Sequence, residues 1–315
     1  MTRYMTSAVV LLAIVSSLGA QQSSSATSNP DSQTNDCSQR SIPLTVVKNS
    51  NATWDWHSLT LTVGGKQVPI DSMLAAPQPP RVLILVDSSG SMHPGYGTRW
   101  ATALRTAAFA LDAAPLDSPV SLGTFDQHDY FGKFESRQEV ARELLALNQK
   151  EAGHGTALYG ALKDAATHLQ PAQFGDAIFL VTDGGDNRSG DLQTKAQQIL
   201  AAQGIRVFVF MVFDRDFKTA EEREGPELMN EVAKATGGAV FEEPWSKEWV
   251  GSDEAKRLMM HIRTMARWPY VLQFKLDQPL QKTAKLKISP PDSRSLELSY
   301  PHEILPCFAL SGKSR

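Results

Sequence analysis

The chain has 315 residues, of which 42% are hydrophobic and 21% charged, and its net charge is −3. That length is enough for one substantial core and a smaller module. The near-neutral charge excludes the basic field that nucleic acid or an anionic membrane surface requires.

The first residues read as an export signal. Arg3 precedes the apolar stretch Ala8 to Val15, and small residues lead to Ala20 before the polar Gln21. The stretch is too short to span a bilayer, so residues 1–20 are expected to be a cleaved signal peptide. Cleavage after Ala26 and an uncleaved anchor are the alternatives. The expected location is therefore outside the cytoplasm, periplasmic or secreted. Residues 21–42 are expected to be a linker, because Gln21 to Asp36 is rich in Gln, Ser, Thr and Asn and has little to bury.

The chain contains two cysteines, Cys37 and Cys307, which flank nearly all of the remaining sequence. In an oxidising compartment they are expected to pair. The chain-entropy treatment of so long a loop credits the bridge with about 4–5 kcal/mol. Two free thiols are the alternative.

Residues 43–78 form an expected N-terminal β segment. It holds Leu44 to Val47, then the alternating Leu59, Leu61 and Val63, then a Gly64-Gly65 turn into Lys66 to Ile70. Residues 79–245 alternate strands and helices. Expected strands are Val82 to Val86, Val120 to Phe125, Tyr130 to Phe134, Ala177 to Thr182, Val207 to Phe213 and Ala239 to Phe241. Expected helices are Arg99 to Ala113, Arg137 to Leu147, Thr156 to Leu169, Leu192 to Gln203 and Pro226 to Thr236. Residues 246–268 read as a closing helix from Trp249 to Trp268. Residues 269–308 return to period-two alternation at Tyr270, Leu272, Phe274 and Leu276, and residues 309–315 are a tail. The expected class is α/β, a doubly wound, mostly parallel sheet. The N- and C-terminal segments are expected to pair as a small accessory β module, which would bring Cys37 and Cys307 together.

The chemistry concentrates where apolar strands end. Val82 to Val86 runs into Asp87-Ser88-Ser89-Gly90-Ser91, which offers a carboxylate and two hydroxyls at alternate positions. Gly153-His154-Gly155-Thr156 is a glycine-rich approach to a helix, and Val181-Thr182-Asp183-Gly184-Gly185 ends another strand in a carboxylate. All three loops are expected at the carboxyl edge of the sheet, where doubly wound folds place their ligands. Asp87, Ser89, Ser91, Thr156 and Asp183 together are an all-oxygen donor set for a divalent cation. Mg²⁺ or Mn²⁺ suits it best, and Ca²⁺ shares the same oxygen chemistry. Two carboxylates roughly neutralise the ion, which leaves it electrophilic toward one further anionic ligand. The absence of Cys and the scarcity of His in these motifs argue against Zn²⁺. Read alone, Asp and Ser after a strand also serve as turn or helix-capping residues.

Weaker signals border these loops. His93, Tyr96 and His154 are candidates for the binding face, and Trp100 fits either that face or the core. Asp186 and Asp191 read as loop and cap residues more readily than as ligands of a second ion. Gly95-x-Gly97 lacks the third glycine of a dinucleotide fingerprint.

Asp87-x-Ser89-x-Ser91, with Thr156 and Asp183, resembles the metal-ion-dependent adhesion site of von Willebrand factor A domains, and the likeness covers about residues 81–243. The wider layout is similar to bacterial exported proteins related to that family. The resemblance implies a doubly wound sheet and protein binding through a partner's Glu or Asp on the metal. It also implies that the serines coordinate directly, while the threonine and the aspartates exchange direct and water-mediated roles. The function expected is thus that of a non-enzymatic, metal-dependent protein-binding module. An envelope scaffold with a structural ion is the first alternative. A metal-assisted hydrolase using Glu151 or His154 is the second, although the sequence has neither His-Glu-x-x-His nor Gly-x-Ser-x-Gly.

Overall fold

The computed structural model describes residues 37–49, 55–92, 98–149, 153–212, 220–291 and 296–307. The expected signal peptide, linker residues 21–36, His93, Tyr96, Glu151 and the tail lie outside the described residues.

The N-terminal part supplies β1 (Gln39–Asn49), β2 (Thr60–Val63), β3 (Lys66–Val68) and β4 (Ile70–Ala75). Next come β5 (Val82–Asp87), α1 (Thr98–Ala113), β6 (Val120–Phe125), β7 (Asp129–Phe131), α2 (Arg137–Ala146) and α3 (Leu158–His168). The chain continues through β8 (Ala177–Thr182), α4 (Gln193–Ala202), β9 (Arg206–Met211), α5 (Ala220–Thr236) and β10 (Val240–Phe241). It ends with α6 (Lys247–Val250), α7 (Asp253–Met265), β11 (Tyr270–Lys275), β12 (Ala284–Ser289), β13 (Leu296–Ser299) and β14 (Glu303–Ile304).

Six strands form the central sheet in the order β10-β9-β8-β5-β6-β7, and only β7 runs antiparallel. Strand β5 shows why the sheet is doubly wound. All six of its residues are buried. Val82, Ile84 and Val86 pack toward residues of α1, α2 and α7, while Leu83 and Leu85 pack toward α3, α4 and α5. Successive side chains of a strand point to opposite faces, so an unbroken aliphatic run demands helices on both sides. The chain places β6 on one side of β5 and then returns to place β8 on the other. The order of strands reverses there, and the crevice at their carboxyl ends is the position such folds reserve for ligands.

The flanking segments form two four-stranded antiparallel sheets, β13-β1-β11-β4 and β14-β12-β2-β3. They enclose a separate core that includes Leu44, Leu61, Leu272, Phe274, Leu286 and Ile288. The expected accessory module is thus a pair of sheets, each built from two N-terminal and two C-terminal strands. Cys37 and Cys307 are bonded across it, with their Cα atoms 5.6 Å apart.

Several element limits differ from expectation. Residues 39–42, assigned to the linker, belong to β1, because Gln39 to Leu44 pair with β11. The closing helix is broken at Gly251-Ser252: Ser246 caps α6 through the N–H of Trp249, and Ser252 starts α7 afresh by capping Ala255. Helix α5 begins at Ala220, before Pro226 rather than at it. Helix α3 begins at Leu158, so Thr156 stays in the loop.

A buried arginine joins the module to the central sheet. Arg206, at the start of β9, is 1% exposed. Its guanidinium donates to the carbonyls of Gly175 (2.6 Å), Met265 (2.7 Å) and Ala266 (2.9 Å), and to Thr45 Oγ1 of β1 (3.1 Å). One side chain thereby satisfies carbonyls at the end of α7 and reaches a strand of the module. Burial pushes its pKa down to about 9, so the carbonyl cage must offset the cost of taking a charge out of water. Arg206→Met should destabilise the fold by about 3–5 kcal/mol, because it leaves several buried carbonyls without a donor. A shift of the urea midpoint at unchanged slope checks this.

Candidate metal centre

Asp87 ends β5, and Asp183 directly follows β8, the neighbouring parallel strand. Both are fully buried. Asp87 Oδ1 accepts the backbone N–H of Ser89 (2.9 Å), and Oδ2 accepts the hydroxyl of Thr182 (2.7 Å). Asp183 Oδ1 accepts the N–H of Gly185 (3.1 Å), and Oδ2 lies 3.4 Å from Nη1 of Arg99. Burial first, then the charge of Asp183, pushes the Asp87 carboxyl up to about 7, against the hydrogen bonds from Ser89 and Thr182. The Asp87 carboxylate, with a second carboxylate at the adjacent strand end, is thus short of positive charge, a condition a divalent cation relieves.

Ser89 Oγ and Ser91 Oγ are hydrogen-bonded to each other at 3.1 Å, which brings the two hydroxyls to the same side of the loop. Ser89 is buried and Ser91 half-buried, so this edge of the set opens outward.

Thr156 is buried on the third loop, and its main chain is bound into the Asp183 loop. Its N–H donates to Asn187 Oδ1 (3.1 Å), and its carbonyl accepts the N–H groups of Asn187 and Arg188. Gly153 N donates to the Ser88 carbonyl at 2.9 Å, which ties the same loop to the Asp87 segment. A side chain at Gly153 would collide with Asp126, whose Cβ lies 2.3 Å from the position a Cβ would take. The three loops are therefore fastened to one another by backbone hydrogen bonds. The structure brings Asp87, Ser89, Ser91, Thr156 and Asp183 to one edge of the sheet. His154 is exposed on its loop, and Trp100 is buried in the core beneath α1.

Four residues that hold this site were not singled out as its parts from the sequence. Thr182 bridges Asp87 and the N–H of Gly184 (3.0 Å). Arg99 supplies a buried cation from the first turn of α1. Asp186 caps α3 from another loop: its Oδ2 accepts the N–H of Tyr159 at 3.0 Å, which fills an orphan helix-end donor that Ala157 has no side chain to meet. Gly184 has φ +86°, and the backbone of Gly225 in α5 packs against it, 2.8 Å from where a Cβ would sit. The strand-end pattern of Thr182 was the available signal, since its hydroxyl directly precedes the Asp183 carboxylate.

Among the described residues, no group of three or more His, Cys, Asp and Glu side chains could hold a metal ion. Two carboxylates with hydroxyls fall outside that description, and by donor chemistry these hard-oxygen groups fit a divalent cation.

Residues 82–185 match the von Willebrand factor type A domain. No curated protein matches the chain in sequence. Among solved structures, the chain is similar to the conserved hypothetical protein BatB from Bacteroides thetaiotaomicron, at 21% identity over 59% of this chain and 98% of that one, with a TM-score of 0.45. It is also similar to a von Willebrand factor type A protein from Catenulispora acidiphila, at 13% identity over 85% of this chain and 72% of that one (TM-score 0.45). A third similar structure is the manganese-loaded TRAP protein of Plasmodium vivax, at 13% identity over 73% of this chain and 95% of that one (TM-score 0.40).

Thr182→Val keeps the shape of the side chain but removes both hydrogen bonds. It should cost about 1–3 kcal/mol, because a buried carboxylate and a buried N–H each lose a partner. Chemical denaturation in EDTA measures the loss without a contribution from metal.

Proposed function

We propose that the chain is an exported, non-catalytic binding module that captures a partner protein's carboxylate on a divalent cation. Asp87, Ser89, Ser91, Thr156 and Asp183 would hold the ion. The observation that supports this most is the convergence of three mutually bonded loops on two buried carboxylates, with the hydrogen-bonded hydroxyls of Ser89 and Ser91 beside them. Bound there, Mg²⁺ or Mn²⁺ supplies a Lewis-acidic centre with an exchangeable position. The match of residues 82–185 to a domain type often used in metal-dependent adhesion and protein interaction favours the same reading.

The chain's own residues do the remaining work. Thr182 and the Ser89 N–H hold Asp87 so that its carboxylate stays in place between two strands. The Gly185 N–H orients Asp183. His154 stands exposed beside Thr156, in position to line a docking face. Export is supported by the apolar stretch after Arg3 and by the Cys37–Cys307 bond, since such bonds persist in oxidising compartments. Among the described residues, no helix is long and apolar enough to cross a membrane.

Mn²⁺ titrated calorimetrically into the full chain should bind at a single site, and Asp87→Ala or Asp183→Ala should abolish that binding while circular dichroism stays native. Cross-linking on intact cells should give partner adducts that disappear in EDTA and in both variants. Adducts that persist unchanged in EDTA would overturn the proposed function.

A further inference from the structure

Arg99 carries the wrong sign of charge for the seat of a cation. It lies in the first turn of α1 and is 7% exposed. Its Nη1 donates to the carbonyl of Ser91 (3.1 Å) and to Asp183 Oδ2 (3.4 Å). It therefore touches two of the three site loops and contacts a carboxylate of the proposed donor set. A buried cation within a few ångströms of a divalent ion repels it strongly, because little water screens the pair. A site built only for tight metal binding would not place one there.

We propose that Arg99 is an internal counter-cation that competes with the divalent ion for Asp183 and couples metal binding to capture of a carboxylate. The inference rests on the metal-dependent reading given above. A divalent ion bound beside Arg99 would place two cations close together in a buried site, and a carboxylate from a partner would lessen their repulsion. Arg99 thus weakens the ion when the site is unliganded and favours the ternary complex with an anion. Coupling of this kind is reciprocal: whatever the carboxylate gains from the ion, the ion gains from the carboxylate. Arg99 also offsets part of the buried charge of Asp183 before metal arrives.

The test is a titration of the full chain with Mn²⁺ alone, wild type against Arg99→Gln. Gln keeps an N–H donor for the Ser91 carbonyl and removes the charge. The variant should bind Mn²⁺ about tenfold or more tightly than wild type, and Arg99→Lys should stay near wild type. Equal or weaker Mn²⁺ binding by a natively folded R99Q overturns the inference and leaves the metal reading intact. Failure of wild type, R99Q and R99K alike to bind Mn²⁺ overturns the metal reading itself. If R99Q does not fold, wild type carries the test. The Arg99 guanidinium resonance, assigned by its loss in R99K, should shift on addition of Mg²⁺, and an unmoved resonance overturns the competition.

Discussion

Two buried carboxylates at the ends of neighbouring parallel strands are the constraint around which the rest is arranged. Strands β5 and β8 lie one hydrogen-bonded spacing apart, about 4.8 Å, and each delivers an aspartate at its carboxyl end. Ionised groups so placed repel each other and lose their water. The chain answers with local donors: Ser89 N–H and Thr182 Oγ1 for Asp87, Gly185 N–H for Asp183, and Arg99 from α1. Each donor fixes a loop as well as a charge. The geometry of the site is in this sense a by-product of compensating Asp87 and Asp183.

The opposite edge of the same sheet shows a buried polar cluster of the other kind. Asp176 accepts hydrogen bonds from Arg81 N, Arg81 Nη2 and Gln173 N. Arg206 is surrounded by carbonyls from the Gly175 turn and the end of α7. Here acid and base have partners within the chain, and the cluster closes the sheet against β1 through Thr45. A saturated polar cluster of this sort rigidifies and specifies a packing. The cluster at Asp87 and Asp183 sets a second buried carboxylate beside the first and leaves the Ser91 end half-buried.

Legibility in the sequence followed the range of the interactions. Strand β5 was plain, because an aliphatic run that ends in Asp87-x-Ser89-x-Ser91 is a local pattern. Strands β6 and β8 fell at the expected residues for the same reason. The candidate donor set was readable because Asp87 and Asp183 stand at the ends of apolar strands and Thr156 shortly before a helix. Arg99 was not, because nothing in Thr98-Arg99-Trp100 says that the first turn of α1 will face Asp183, more than eighty residues along the chain. Asp186 looked like a loop residue, and its use as a cap for α3 depends on a contact between loops. The start of β1 at Gln39 was hidden because its polar residues are held by pairing with β11, a partner from the far end of the chain. The break before α7 was visible in principle at Ser252, whose capping role competes with the amphipathic pattern that spans it.

The accessory module has a place in this division of labour. Its strands come from both ends of the described chain, and the Cys37–Cys307 bond closes it just before β1 and just after β14. The module meets the central sheet where the parallel strands begin: Thr45 contacts Arg206 at the start of β9, and His302 N donates to the Lys234 carbonyl near the end of α5. The carboxyl ends of β5 and β8 face the other way, a strand of six residues or about 20 Å distant. Covalent closure and the polar clamp therefore stabilise one pole, and the metal-type donor set occupies the other. The four inner strands between the two poles, β5, β6, β8 and β9, are buried at every residue, so the poles are joined by a rigid, close-packed layer.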